Sequence, residues 1–232
     1  MTAPLPANED QRLAALRRYK ILDTPSEPAF DDIALLASTI CDTPIGVLTL
    51  VDADRQWFKA KVGLDAEQTP REHAFCAHTI LGLNPMIVGD ATLDARFADN
   101  PLVTGSPDIR FYAGAPLIDS EGFALGSLCV IDRKPRELQP HQQRALEALG
   151  RQVIAQLEFR RASADLAKAL ADLHILRGLL PICCYCKSIR NDEGYWHTVE
   201  TYVTEHSEAS FSHGICPGCM TTHFPGVVTG TR

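Results

Sequence analysis

The spacing of apolar positions changes several times along the chain, and each change predicts an element. Residues 1–12 form a leader, loosened by Pro4 and Pro6, and QRLAALRRYKIL then carries leucines at helical spacing. After a turn at Asp23-Thr24-Pro25, FDDIALLASTIC places Phe30, Ile33, Leu36, Ala37 and Ile40 on one face of a second helix. The runs IGVLTLVD and RQWFKAKVG, joined through Ala53-Asp54, read as a β-hairpin. A loop containing Pro70 leads to a short helix in HAFCAHTILG, a strand in MIVGDATLD, and a polar helix or loop from Ala95 to Asn100. FYAGAPLID and FALGSLCVID make a second hairpin, closed by Ser120-Glu121-Gly122 and apolar enough for the middle of a sheet. The expected class is α+β, an antiparallel sheet flanked by helices.

From residue 138 to 180 the chain is rich in Ala, Leu, Arg, Glu and Gln, which predicts one long helix. Leu146, Leu149, Val153 and Leu157 form an a/d-like stripe that resumes at Leu166, Leu170, Leu173 and Leu176 or Leu180, after a weak stretch between Phe159 and Ala164. A parallel homodimer along 138–180 is the expected use of this stripe, and packing back on the first domain is the alternative.

The length of 232 residues suits one ordinary domain with a smaller appendage, and 45% hydrophobic residues suit a globular core. The formal charge of −7 provides no broad basic surface, which disfavours nucleic-acid and anionic-membrane partners. No apolar run reaches the length of a membrane span and none resembles a signal peptide, so the expected location is cytoplasmic. In a reducing compartment, paired cysteines are metal ligands or redox groups more often than disulfides.

Cys183 and Cys186 form one CxxC pair and Cys216 and Cys219 a second, with 29 residues between the pairs. Four thiolates so arranged are the donor set of a tetrahedral structural zinc, one ion per chain, within a module at 181–224 followed by a tail at 225–232. A module of this size has little core of its own, so a metal clamp would supply much of its stability. The interval between pairs holds a turn at Asp192-Glu193-Gly194 and a helix with Val199, Tyr202, Val203 and His206 on one face. His213 as a fourth ligand, an iron-sulfur centre and a redox pair are the alternatives; a thioredoxin-like role lacks its βαβ context, and Cys184 is extra to the set. Lys187 and Arg190 stand against Asp192, Glu193, Glu200, Glu205 and Glu208, so a protein partner fits this module better than nucleic acid.

Across roughly Leu13 to Arg161, the strings ALRRYKILDTPSEPAFDDI, VDADRQWFKA, FCAHTI, FYAGAPLID and GSLCVID resemble those of a GAF domain. The resemblance implies a six-stranded antiparallel sheet with helices on one side and a small-molecule cavity on the other, in a sensory or dimerisation module at 13–160. Trp57, Phe58, Phe75, Cys76, His78, Phe97, Phe111, Tyr112 and Cys129 are then candidates to line the cavity, with ordinary core packing as the competing role for each. LRGLLPICCYCKSIRNDEGYW with SEASFSHGICPGCM resembles a Cys-rich, zinc-ribbon-like module at the C-terminus of bacterial signalling proteins. The Cys-His dipeptide of bilin-carrying relatives and the Asn-Lys-x-Asp-Glu pattern of cyclic-nucleotide binders are missing, so the resemblance assigns no ligand.

The resulting expectation is a signal-sensing protein, not an enzyme, whose domain binds a small ligand or partner and acts through the long helix on a zinc module that contacts a signalling protein. The alternative is a redox protein: a thiol or zinc redox sensor, or an enzyme similar to free-methionine-sulfoxide reductases using Cys41, Cys76 and Cys129. Cys76 and His78 stand two apart, a poor spacing for a Cys-His nucleophile on a regular helix. Asp90, Asp119, Glu121 and Asp132 lie at strand ends and turns and are given no acid-base role.

Overall fold

The computed structural model describes residues 2–174, 180–191, 193–207 and 209–224, and it divides into two compact units, Met1–Asp165 and Leu166–Arg232. Leu176, Asp192, Glu208 and the tail at 225–232, all named above, lie outside the described residues.

The first unit begins with α1, Glu9–Arg18, whose acidic first turn and basic last turn both complement the helix dipole. Helix α2, Pro28–Cys41, opens on a proline and ends at Asp42, which takes the left-handed conformation that terminates helices. Its buried residues are Phe30, Ala34, Ala37, Ser38 and Cys41. The predicted face is thereby corrected: Leu36 and Ile40 are exposed, because Gly46 brings the sheet so close to α2 that only small side chains fit between them. A Cβ at Gly46 would stand 2.5 Å from the Ala34 carbonyl oxygen.

Strands β1 (Ile45–Val51), β2 (Arg55–Val62), β3 (Gln68–Pro70), β4 (Met86–Val88), β5 (Phe111–Ile118) and β6 (Ala124–Asp132) form one six-stranded antiparallel sheet in the order β3-β2-β1-β6-β5-β4. Both predicted hairpins are present, β1–β2 and β5–β6. Asp119 Oδ1 closes the second by accepting from the backbone N–H groups of Glu121 and Phe123. The three-residue β3 and the short α4, Pro101–Thr104, have no counterpart in the periodicity, being too short to show one. Helix α3 is five residues, Phe75–Thr79.

Strand alternation divides the core between the two sheet faces. Leu48, Leu50, Trp57, Phe111, Leu117, Leu128 and Val130 face α1 and α2, while Ile45, Val47, Phe58, Tyr112, Cys129 and Ile131 face α3 and the loops around it. The long helix is α5, Pro140–His174, and Leu146, Val153 and Leu157 from it join the first of these cores. The first half of the stripe is thus spent on its own domain. Phe159, Leu166 and Leu170, further along the same helix, are exposed.

In the second unit β7 (Ile189–Arg190) pairs with β8 (Trp196–His197), followed by α6 (Val199–His206) and α7 (Pro217–His223). Ile189 and Tyr202 are the buried residues among those described there. Among the described residues no helix is long and apolar enough to cross a membrane.

Candidate functional site: a cavity beneath the sheet and two cysteine turns

A cavity of about 270 Å³ lies on the sheet face opposite α1 and α2. One end is bordered by the exposed residues Gly63, Asp65, Ala66, Ser106 and Arg133 and opens to solvent. The other is closed by buried Phe58, Phe75, Cys76, Tyr112 and Cys129. Two polar atoms in its wall, Gln56 Oε1 and Thr69 Oγ1, are buried without a hydrogen-bond partner. A buried acceptor left unpaired costs about 1–3 kcal/mol.

The closed end carries a cluster of hydroxyls and thiols. Cys76, from α3, places its Sγ 3.8 Å from Cys129 Sγ on β6. The Tyr112 phenol donates to Cys76 Sγ at 3.3 Å and lies 2.7 Å from Thr79 Oγ1 and 3.4 Å from Ser127 Oγ. Thr49 Oγ1 lies 3.4 Å from Ser127 Oγ, and the Cys129 thiol donates to the Val47 carbonyl at 3.5 Å. The phenol reaches this position by lying along its strand across Gly114, where a Cβ would stand 2.1 Å from Tyr112 Oη.

Burial alone would raise the Cys76 pKa, but hydrogen bonds from Cys129, Ser127, Thr49 and Tyr112 outweigh it and bring the thiol down to about 7. Cys129 is pushed up by its contact with Cys76 and by burial, and Tyr112 is pushed up by burial and by the two thiols. Cys41 belongs to the other face, where burial raises it to about 11.

The structure separates the predicted lining residues. Phe58, Phe75, Cys76, Tyr112 and Cys129 line the cavity. Trp57 and Phe111 do not: each is the immediate strand neighbour of a lining residue, Phe58 or Tyr112, and alternation sends it to the helix-covered core. Phe97 and His78 stand behind the wall, Phe97 stacked on Phe75 at 3.9 Å between ring centres and His78 edge-on to Phe97 at 4.8 Å. The Cys76 thiol meets Cys129 and Tyr112. Gln56 and Thr69 carry no sequence signal as lining residues: each looks like an ordinary polar residue at the margin of a strand.

In the second unit each CxxC pair forms a compact turn. Lys187 N donates to the Cys183 carbonyl at 3.0 Å, and Cys186 Sγ lies 3.3 Å from Ser188 Oγ. Cys216 caps α7, its Sγ accepting from Cys219 N at 3.5 Å. Hydrogen bonds from Ser188 and Cys183 lower Cys186 to about 7, and the Cys219 backbone N–H is the largest cause lowering Cys216. Thiolates paired in turns of this kind are the donor type that a structural zinc takes. Among the described residues no three His, Cys, Asp or Glu side chains are gathered closely enough to hold an ion. His213 is exposed.

A six-stranded antiparallel sheet with α1 and α2 on one face and a cavity on the other is a fold of the GAF type. The GAF domain model matches residues 25–157, and the chain belongs to that family. It is 46% identical over 163 residues to a cyclic di-GMP phosphodiesterase of Pseudomonas aeruginosa, a match covering 70% of this chain and 28% of that relative. The chain thus spans little more than a quarter of that relative's length. Among solved structures it is similar to the photosensory core module of a Stigmatella aurantiaca phytochrome, 12% identical with a TM-score of 0.51, covering 75% of this chain and 42% of the phytochrome, a likeness of fold alone. The relative's name corrects one expectation: this protein is not set apart from enzymes, since a protein sharing nearly half its residues over 163 positions carries an enzyme's name.

Proposed function

We propose that residues 13–160 form a cytoplasmic sensory domain whose cavity binds a small ligand, and that binding regulates cyclic di-GMP turnover. The cavity with Gln56 Oε1 unpaired in its wall carries the reading. A volume of about 270 Å³ lies below the roughly 300–1,000 Å³ of drug-sized ligand sites. It therefore suits a molecule the size of an amino acid or a nucleobase, with a donor for Gln56 and an apolar side for Phe58 and Phe75. A cyclic dinucleotide is too large for it. Cyclic di-GMP enters as the chemistry under control, on the strength of the relative's name.

The output runs along α5 to the second unit, where Cys183, Cys186, Cys216 and Cys219 hold one structural zinc per chain and present a surface to a signalling partner. Two chains pair along the outer part of α5, where exposed Leu166 and Leu170 resume the stripe after its first half is buried. A native mass of one chain would remove the dimer.

Thermal-shift titration of the full chain with amino acids, nucleobases and cyclic di-GMP tests the cavity. One of the first two classes is expected to raise the melting temperature, and Gln56→Leu to weaken that ligand about tenfold, near the 1.4 kcal/mol typical of one hydrogen bond. Stabilisation by cyclic di-GMP alone, or binding indifferent to Gln56→Leu, would refute the assignment.

A further inference from the structure

Cys76 and Cys129 are far apart in sequence, on a helix and a strand, and yet their sulfurs touch at 3.8 Å. Both are 1% exposed and line a cavity that opens to solvent beside Asp65 and Arg133. Packing alone does not require two thiols here, nor three hydroxyl groups, Tyr112, Ser127 and Thr49, drawn around them. We propose that Cys76 and Cys129 are a peroxide-reactive dithiol pair that closes to a disulfide inside the sensory cavity, a covalent state of the domain distinct from ligand binding.

The geometry assigns the two roles. The Cys76 sulfur receives the Tyr112 hydrogen bond, which favours its thiolate, and the pKa near 7 agrees with that. Cys129 keeps its proton and donates it to the Val47 carbonyl. In the first step the Cys76 thiolate attacks the terminal oxygen of a small hydroperoxide. The S–O bond forms, the O–O bond breaks, and the leaving oxygen, hydroxide from hydrogen peroxide or alkoxide from an alkyl hydroperoxide, takes up the proton that Cys76 released and departs as water or alcohol. Cys76 is then a sulfenic acid. In the second step Cys129, deprotonated, attacks Cys76 Sγ; the S–S bond forms, the S–O bond breaks, and hydroxide leaves as water after taking the proton Cys129 gave up. The two thiols have lost two electrons and the peroxide has gained them. Closure requires the sulfurs to approach by about 1.8 Å, from contact to the roughly 2.05 Å of a disulfide, a distance that side-chain rotation and a small shift of the five-residue α3 can supply.

The test treats the full chain with hydrogen peroxide, blocks remaining thiols with maleimide under denaturing conditions, and maps the digest by mass spectrometry. A Cys76–Cys129 linked peptide pair that dithiothreitol dissolves is expected, separable by its sequence from any oxidation of the five C-terminal cysteines. In Cys129→Ser the second step is blocked, so dimedone should trap Cys76 as a sulfenic acid about tenfold faster than it labels Cys129 in Cys76→Ser. Circular dichroism of both variants confirms that they fold. Recovery of Cys76 and Cys129 as maleimide adducts, oxidation of Cys76 past sulfenic acid with no link to Cys129, or equal dimedone labelling in the two variants would each overturn the proposal. Failure here leaves the ligand reading untouched, because that rests on Gln56 and is measured with the thiols reduced.

Discussion

Glu9 holds two arginines at once. Its carboxylate accepts from Arg12 Nε and one terminal nitrogen of Arg12 at 2.8 Å each, and from Arg71 at 2.5 Å, which ties α1 to the start of the cavity loop. Arg12 is 1% exposed. Burial pushes the Glu9 carboxyl up, but the hydrogen bonds of Arg12 and Arg71 prevail and hold it at about 2 against an ordinary 4.5. Because the folded pKa is the lower one, the unfolded chain takes up the extra proton as the solution is acidified. The stabilisation is complete above about pH 4.5 and is lost as pH falls toward 2. Glu9→Gln should therefore lower stability by about 1.5 kcal/mol at pH 7, at the lower end for charged hydrogen bonds because part of the group meets solvent, and by far less near pH 2.5. Urea unfolding of both proteins at the two pH values reads this directly, and an equal difference at both would exclude the pairing.

At this same scale the sequence was most ambiguous. Trp57 with Phe58, and Phe111 with Tyr112, are aromatic pairs on strands, and composition offers no way to tell which member faces which side. The answer comes from β1, whose Leu48 and Leu50 must meet the helices while Val47 meets the cavity. Lys59 is a sharper case. It follows Phe58 in a strand that reads as half-solvated, yet its side chain is 0% exposed, and its ammonium bonds Thr24, the Pro25 carbonyl and Glu27. Nothing local to RQWFKAKVG announces three acceptors more than thirty residues upstream.

Among the elements, those with a full period were legible. Both hairpins, the first two helices and the long helix are where apolar spacing places them, because a face buried along several turns or a strand of seven to nine residues leaves a repeating signature. Three-residue β3 and four-residue α4 leave none, although β3 brings Thr69 into the cavity wall. The inward face of α2 was shifted because the limiting factor is the closeness of Gly46, a tertiary fact. The second unit is at the opposite extreme: its elements are two to eight residues long, and its legible feature is chemical. The described core there is Ile189 and Tyr202, and the proposed zinc would tie the two cysteine turns together. Chelation of zinc should melt α6 and α7, giving rapid amide exchange across 196–223, while exchange within β1 and β6 stays slow. Unchanged protection in the second unit after chelation would show that it stands without metal.

For the whole molecule, the GAF sheet fixes two sides with different work. One is covered by α1, α2 and the first half of α5. The other retains a solvent-open space bounded by aromatic rings, unpaired acceptors and two thiols. A ligand or a disulfide on this side would act on β1, β5 and β6 from beneath, and β5 packs against Gly150 of α5.

Isoleucine methyl NMR of the full chain distinguishes the two sides. Ile45, Ile109 and Ile131 line the cavity, whereas Ile21, Ile33 and Ile154 belong to the helix-covered core. Addition of the amino acid or nucleobase that stabilises the protein should move the methyl signals of Ile45, Ile109 and Ile131 first and most. Shifts confined to Ile21, Ile33 and Ile154, with the cavity methyls unmoved at saturation, would contradict a sensory cavity at this site.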